Sequence, residues 1–194
     1  PGYSFDRSAG LIFSGWPKGR PPSPPCPTPI EDDDWWLWYQ LFYDGSAWIS
    51  FASEAADVTG SMAAKGTTAG TIDATHYCDE EDAWNQFLTF APDRDIIHLA
   101  GHGNATSCDD ISWLDDPDLS EPFGDANPFV YGSSCMTGHY AGTVSLAEQF
   151  LSRGAGAYLG STEDSWCCTN RRVARGFYDR WDVGESLGSA LKDL

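Results

Sequence analysis

Two stretches decide the fold of this chain, DIIHLAGHGN at residues 95–104 and FVYGSSCMTG at residues 129–138. Each begins with a short apolar run that is typical of a buried strand. Each run then passes directly into a turn that carries glycine and a chemically reactive side chain. These side chains are His102 after the first strand and Cys135 after the second.

The chain around these two stretches alternates between strand and helix patterns. Strands are predicted at Ala47–Ser53, Thr67–Asp73, Asp95–Ala100, Phe129–Ser134 and Ala157–Ser161. Helices are predicted at Glu54–Lys65, from the acids Asp79–Asp82 to Pro92, at Ser145–Arg153, at about Asn170–Trp181 and from near Gly184 onward. Gly66 is expected to end the first helix as a left-handed cap. This alternation predicts an α/β fold, with a mostly parallel sheet covered by helices on both faces.

The composition indicates a folded chain with one main domain. Of the 194 residues, 41% are hydrophobic and 14% aromatic, which is enough apolar surface for a core and excludes disorder. The stretch GWPKGRPPSPPCPTPIEDDD at 15–34 is rich in proline and ends in four acids, so it predicts an exposed linker. We therefore expect an N-terminal segment at 1–46 and a domain at 47–194.

Charge and cysteine content narrow the classes of partner and location. The chain has 29 acidic and 11 basic residues, and its net charge of −18 argues against binding to nucleic acid or anionic lipid. The sequence contains no run of 18 apolar residues, so no membrane span is predicted. The chain starts at Pro1 without a signal-peptide pattern, and we therefore expect it to be a piece of a longer protein. Six cysteines without repeated C-x-x-C spacing favour an exported protein with some disulfides.

His102 and Cys135 predict a nucleophilic site. Reactive groups of parallel sheets lie at the carboxyl ends of strands, and a thiol nucleophile needs a base such as a neighbouring histidine. Because Gly103 has no Cβ, its N–H and that of Cys135 could form an oxyanion hole. The alternative is a capping histidine and an inert buried thiol, but the two residues at consecutive strand ends favour the functional interpretation.

Four segments together resemble the gingipain-like cysteine peptidases of the caspase-like group. They are DIIHLAGHGNATS, PFVYGSSCMTGHY, SLAEQFLSRGAGAYLGSTEDSW and GESLGSALKDL, and the resemblance covers roughly residues 47–194. It implies a caspase-like fold and a cysteine endopeptidase acting on peptide or protein substrates. It also implies His102 as general base and acid, Cys135 as nucleophile, and Gly103 and Cys135 as oxyanion donors.

The resemblance implies further site residues. Glu54, following the predicted first strand, would orient His102; the alternative is a helix-terminal acid favoured by the dipole. Asp57 would bind a basic substrate side chain and Trp166 would wall the same pocket, which implies cleavage after Arg or Lys. Asp57 could instead be a solvated helix acid, with Glu163 or Asp164 as the binding acid, and Trp166 could belong to the core.

No cofactor is required by this chemistry, and a structural calcium ion is one interpretation of the acidic residues. Its candidate ligands crowd one acidic loop, and they are Asp109, Asp110, Asp115, Asp116, Asp118 and Asp125. Solvation is the alternative for these acids. Zinc is less favoured than disulfides for the remaining candidates, which are His76, Cys78, Cys108 and the pair Cys167 and Cys168.

Two other functions stay open. One is a catalytically silent caspase-like module that binds a partner within a larger exported protein. The other is a caspase-like signalling peptidase of the CHAT type. The presence of both His102 and Cys135 argues against the silent module, and the cysteine content favours a secreted or cell-surface enzyme.

Overall fold

A computed structural model of the chain describes residues 9–14, 51–73, 80–109, 111–114, 123, 125–142, 144–182 and 184–192. Its strands are β1 (Ala9–Ser14), β2 (Thr68–Asp73), β3 (Ile96–Ala100), β4 (Phe129–Ser133) and β5 (Ala157–Gly160). Its helices are α1 (Phe51–Ala64), α2 (Glu80–Phe90), α3 (Leu146–Ser152), α4 (Cys167–Arg180) and α5 (Leu187–Lys192), with a 3₁₀ turn at Ala91–Asp93. In this described part of the chain, no helix is both long and apolar enough to span a membrane.

The strands form one five-stranded sheet in the order β2-β1-β3-β4-β5. Every pairing between neighbouring strands is parallel. The predicted α/β class and parallel sheet are therefore confirmed. Most predicted elements recur within a few residues, and Gly66, with a φ of 79°, ends α1 in the left-handed region as expected.

The beginning of the domain differs from the sequence prediction. The predicted strand at Ala47–Ser53 is wrong for its last three residues, which belong to α1, while residues 47–50 lie outside the described part. Phe51 starts a helical pattern, because it lies buried on the same face as Ala55, Val58 and Met62. Phe51 therefore fits both the alternating pattern of a strand and the spacing of buried residues in a helix.

The strand that the sequence analysis missed is β1, from the N-terminal segment at 1–46. It is an inner strand of the sheet, hydrogen-bonded to the edge strand β2 on one side and to β3 on the other. The sheet therefore extends beyond the expected boundary at residue 47. Helix α1 belongs to the connection between two parallel strands, β1 and β2. The predicted linker at 15–34 lies outside the described residues.

Helices cover both faces of the sheet, as predicted. On one face, α1, α4 and α5 enclose a core that includes Ile96, Phe129 and Tyr131. On the other face, α2 and α3 pack over Ile97 and Val130. Because successive strand residues point to opposite faces, His98 lies on the same face as Ile96, towards α1 and α4. The His98 side chain is fully buried in this core.

Two tyrosines in the core between the sheet and helices α1, α4 and α5 have raised pKa values. Burial is the main cause at Tyr131, and the charge of Glu54 adds to it, so the pKa lies well above the usual 10. Burial also raises the pKa of Tyr178, followed by the charges of Tyr131 and Glu54. The fold therefore favours the protonated form of both side chains.

This shift predicts alkaline destabilisation. The unfolded tyrosines ionise near pH 10 while the folded ones stay protonated, so the stabilisation is complete below pH 10 and is lost as pH rises above it. Between pH 9 and pH 11 we expect the free energy of unfolding to fall by about 1.4 kcal/mol for each tyrosine. Urea unfolding at the two pH values measures the loss.

Tyr178→Phe is the control for this prediction. The Tyr178 hydroxyl has no hydrogen-bond partner among the described residues, so its removal should cost little at pH 7. Between pH 9 and pH 11, the free energy of unfolding of the variant should fall by about 1.4 kcal/mol less than that of the wild type, which is the contribution of one tyrosine. An equal loss in both proteins would contradict the assignment.

Candidate active site

Parallel pairing of β3 with β4 brings the two reactive residues to one edge of the sheet. Ala100 is aligned with Ser133, and His102 and Cys135 each follow their aligned residue by two positions. The Ser134 hydroxyl donates a 2.7 Å hydrogen bond to the carbonyl oxygen of Gly101, which joins the two strand ends. The sheet register therefore sets both loops side by side.

The two glycines beside His102 admit different neighbours. A Cβ on Gly103 would collide with the Ser134 side chain and would lie 2.8 Å from the Cys135 carbonyl oxygen. A Cβ on Gly101 would collide with the carboxylate of Asp109, with its Cγ at 2.9 Å. The Gly-His-Gly sequence thus lets the histidine loop approach the cysteine loop on one side and an acidic side chain on the other.

Cys135 carries a free, partly exposed thiol. The thiol donates to the carbonyl oxygen of Ser165 at 3.2 Å, and the Ser165 N–H lies 3.4 Å from the sulfur. The Asn170 side chain donates to the Ser165 hydroxyl at 2.8 Å and holds this residue from the first turns of α4. The interpretation of Cys135 as an inert buried thiol does not fit this partial exposure.

The loop after β5 is hydrogen-bonded to the loop after β4. Backbone N–H groups of Met136 and Gly138 donate to the carbonyl oxygens of Glu163 and Ser161, at 3.1 and 2.8 Å. The His139 ring lies 3.1 Å from the carbonyl oxygen of Thr162 through its Nδ1 atom. These contacts hold the loop at 161–166 beside Cys135.

Three predicted substrate-binding residues lie in the loop at 161–166, and all three are exposed. They are Glu163, Asp164 and Trp166. The side chain of Trp166 is 61% exposed, so the alternative that it packs in the core is wrong. An exposed indole and two exposed carboxylates therefore lie close in sequence to Ser165, the residue that contacts the Cys135 sulfur.

Glu54 has a different partner from the one expected. It lies in the first turn of α1, only 2% exposed, and its Oε1 atom is 3.0 Å from Nε2 of the buried His98. The expectation placed Glu54 at a strand end, oriented towards His102. Because α1 begins at Phe51, Glu54 instead faces the middle of β3. A buried carboxylate needs a polar partner, and the alternation that buries His98 supplies one.

Phe51 is a neighbour of His102 that the sequence analysis missed. The two rings meet edge to face, with centroids 5.1 Å apart and planes at 87°. Phe51 was assigned to a strand, and its place at the start of α1 gives it this contact. The helical spacing of Phe51, Ala55 and Val58 was the signal that could have found it.

Asp57 also departs from its expected place. Its carboxylate pairs with Nε of Arg171 at 2.8 Å, and both side chains are partly buried between α1 and α4. The structure therefore gives Asp57 a cationic partner within the protein, in an ion pair between two helices. The two interpretations of Asp57 had paired this carboxylate with a substrate cation or with solvent instead of with Arg171.

The acidic loop is only partly described. Asp109 Oδ1 lies 3.2 Å from the backbone N–H of His102, and Asp125 is exposed, while the other four acids lie outside the described residues. Among the residues that the structure describes, no three His, Cys, Asp or Glu side chains converge as a metal site would require. Cys108 is buried in a core cluster. Calcium binding and disulfide formation stay predictions.

The structure thus brings a partly exposed cysteine and a Gly-His-Gly loop together at the carboxyl edge of a parallel α/β sheet. The family model of peptidase family C25 matches residues 49–194. The chain therefore belongs to peptidase family C25, the gingipain family of cysteine peptidases, as its motifs suggested. No match was found among curated proteins or among solved structures.

The close contact of Gly103 with Ser134 and Cys135 predicts that a side chain at residue 103 destabilises the fold. Gly103→Ala should push the histidine loop away from β4, because the new methyl group would meet the Cys135 carbonyl oxygen and the Ser134 side chain. We expect a loss of about 1–3 kcal/mol in the free energy of unfolding. We also expect a changed rate of alkylation of the Cys135 thiol by iodoacetamide. Urea unfolding and mass spectrometry of the alkylated protein measure both effects.

Gly60→Ala is the matched control. Gly60 is an exposed residue inside α1, and a Cβ there would meet nothing within 4 Å. This variant should gain about 0.5–1 kcal/mol from helix propensity and leave the alkylation rate unchanged. Wild-type stability and alkylation in Gly103→Ala would show that the two loops do not depend on the close approach.

Proposed function

We propose that this chain is a cysteine endopeptidase in which Cys135 is the nucleophile and His102 the general base and acid. The observation that carries the proposal is the β3–β4 register, with the hydrogen bond between Ser134 and Gly101, which sets the Gly-His-Gly loop against the loop of a partly exposed thiol. Membership of a cysteine-peptidase family supports the same chemistry.

The proposed reaction has two halves. His102 takes the thiol proton, and the sulfur attacks the carbonyl carbon of the scissile peptide bond. The tetrahedral intermediate collapses when His102 returns the proton to the leaving amine, which leaves a thioester on Cys135. His102 then takes a proton from a water molecule as the water oxygen attacks the thioester carbonyl. When the C–S bond breaks, His102 returns this proton to the sulfur, which releases the Cys135 thiol and a carboxylic acid that ionises in water. The thiol must leave the carbonyl oxygen of Ser165 before the first step.

The N–H groups of Gly103 and Cys135 are the proposed oxyanion donors. Gly103 forms a β-bridge with Cys108. The hydrogen bonds of that bridge run from Asp109 N–H to the His102 oxygen and from Asn104 N–H to the Ser107 oxygen. The Gly103 N–H therefore takes no part in the bridge. A fixed donor at the site where negative charge develops stabilises the transition state more than the substrate.

Arg or Lys before the cleaved bond is the proposed specificity. Asp57 is occupied by Arg171, so the acid that pairs with the substrate cation is Glu163 or Asp164, in the loop that contacts the thiol. Trp166 would stack on the cation or on its aliphatic stem. The net charge of −18 also favours encounter with cationic peptides.

The same proposal includes a secreted or cell-surface location and protein or peptide substrates. The family and the six cysteines support this location, and the strong negative charge argues against nucleic acid as a partner. The reaction as written requires no cofactor. The acidic stretch from Asp109 to Asp125 is a candidate site for calcium, with a role in stability rather than in peptide cleavage.

Removal of the nucleophile tests the chemistry. Cys135→Ala should lower kcat/KM for a peptide substrate at least a thousandfold, because no thioester can form, while unfolding should change little. Thr169→Ala, at an exposed position in α4, is the control and should keep wild-type activity. Activity that survives in Cys135→Ala would place the nucleophile elsewhere. A folded wild type that cleaves no member of a broad peptide library would favour the silent binding module.

Specificity is tested by profiling that library. Cleavage should follow Arg or Lys, and either Glu163→Gln or Asp164→Asn should lower kcat/KM for these substrates by about 10–100-fold through loss of a charge-assisted pair. Asp57→Asn is the contrasting variant. It should keep the preference and lose up to about 1 kcal/mol of stability from its partly exposed ion pair. A preference for Asp or small apolar residues would remove this assignment and leave the Cys135 chemistry intact.

A further inference from the structure

Both backbone polar groups of His102 are bound by a single residue, Asp109. The Asp109 carboxylate accepts a hydrogen bond from the His102 N–H at 3.2 Å. The Asp109 N–H donates to the His102 carbonyl oxygen at 2.7 Å. This pair of bonds joins the two ends of the loop that carries the histidine.

The backbone at Asp109 adopts a conformation that suits an aspartate. Its φ is 44°, in the left-handed region, where Asp and Asn occur more often than other side chains with a Cβ. Cys108, the preceding residue, is fully buried and bridges both Gly103 and Ile111. Asp109 is thus held at a fixed place next to the histidine loop.

Gly101 is the complement of this side chain. A Cβ at residue 101 would occupy the space of the Asp109 carboxylate. The first glycine of Gly-His-Gly therefore allows the acid to reach the His102 N–H. The second, Gly103, allows the same loop to approach Cys135.

We propose that Asp109 is a positioning residue, which fixes the backbone of His102 so that the imidazole is presented to Cys135. This inference rests on the proposed function. The carboxylate acts through the backbone, while Phe51 limits the ring by its edge-to-face contact. A precise base position matters because proton transfer requires near hydrogen-bond distance in the productive complex.

Three substitutions separate the carboxylate from the backbone conformation. Asp109→Asn keeps an oxygen acceptor and tolerates a positive φ, whereas Asp109→Gly keeps only the freedom to adopt φ of 44°. Asp109→Ala loses both. We expect kcat to fall about 10–100-fold in the Gly and Ala variants with little change in KM, and to stay within a few-fold of wild type in Asp109→Asn.

Asn127→Gly is the control, because Asn127 is an exposed residue whose φ of 46° also lies in the left-handed region. It should keep the wild-type kcat and KM. Asp109→Gly is the deciding variant, since it avoids backbone strain at this position and is expected to fold even if Asp109→Ala does not. A wild-type kcat in folded Asp109→Gly would overturn the proposal.

A second measurement does not depend on turnover. The chain has 4 histidines, so the ring signals of protein labelled at histidine can be assigned by NMR with a His102→Gln variant. His102 should give one sharp set of ring signals in the wild type and in Asp109→Asn. In Asp109→Gly these signals should shift and broaden or double, while those of His98 stay in place.

The two readouts distinguish the possible failures. If the wild type cleaves peptides but Asp109→Gly keeps both its kcat and its His102 signals, the positioning role is wrong and the proposed function stands. If the wild type cleaves no peptide, the proposed function fails. The His102 signals then decide on their own: changed signals in Asp109→Gly support the positioning role, and unchanged signals overturn it.

Discussion

The parallel pairing of β3 with β4 is the constraint on which the site depends. Its register aligns Ala100 with Ser133, and the hydrogen bond between Ser134 and Gly101 extends the alignment past the strand ends. A shift of one residue would turn the side chains of a strand to the opposite face of the sheet. It would also separate Gly103 from the Cys135 carbonyl oxygen. Core packing on both faces therefore keeps the loops of His102 and Cys135 side by side.

Features with local causes could be predicted from the sequence. The buried strands, the left-handed Gly66 and the reactive residues at the strand ends follow from short stretches of chain. The missing Cβ of Gly103 was predicted to expose its N–H to a substrate, but the protein neighbours of Gly101 and Gly103 were not predicted. Gly101 faces Asp109, and Gly103 faces a loop more than thirty residues away in the sequence. A motif indicates that space is needed without identifying what fills it.

Features with distant partners could not be predicted. Glu54 pairs with His98 across 44 residues, and Asp57 pairs with Arg171 across 114. Their assignments depended on where α1 begins, and the local pattern is ambiguous at Phe51, which suits both an alternating strand and the buried face of a helix. Once α1 starts at Phe51, Glu54 turns towards β3 and the expected carboxylate behind His102 is absent from that position. A misplaced helix start thus changed the predicted roles of two acids.

Glu54 and Asp109 each contact a histidine, but in different ways. Glu54 contacts the side chain of His98, and Asp109 contacts the backbone of His102. Glu54 is buried among aromatic side chains, where its negative charge contributes to the raised pKa values of Tyr131 and Tyr178. An acid at this depth requires a hydrogen-bond partner, and His98 meets that requirement inside the core. Asp109 lies beside the loop that follows β3, where its carboxylate accepts a hydrogen bond from the backbone N–H of His102. Separating the two tasks lets core stability and loop geometry be determined by different acids, so a change at one need not disturb the other.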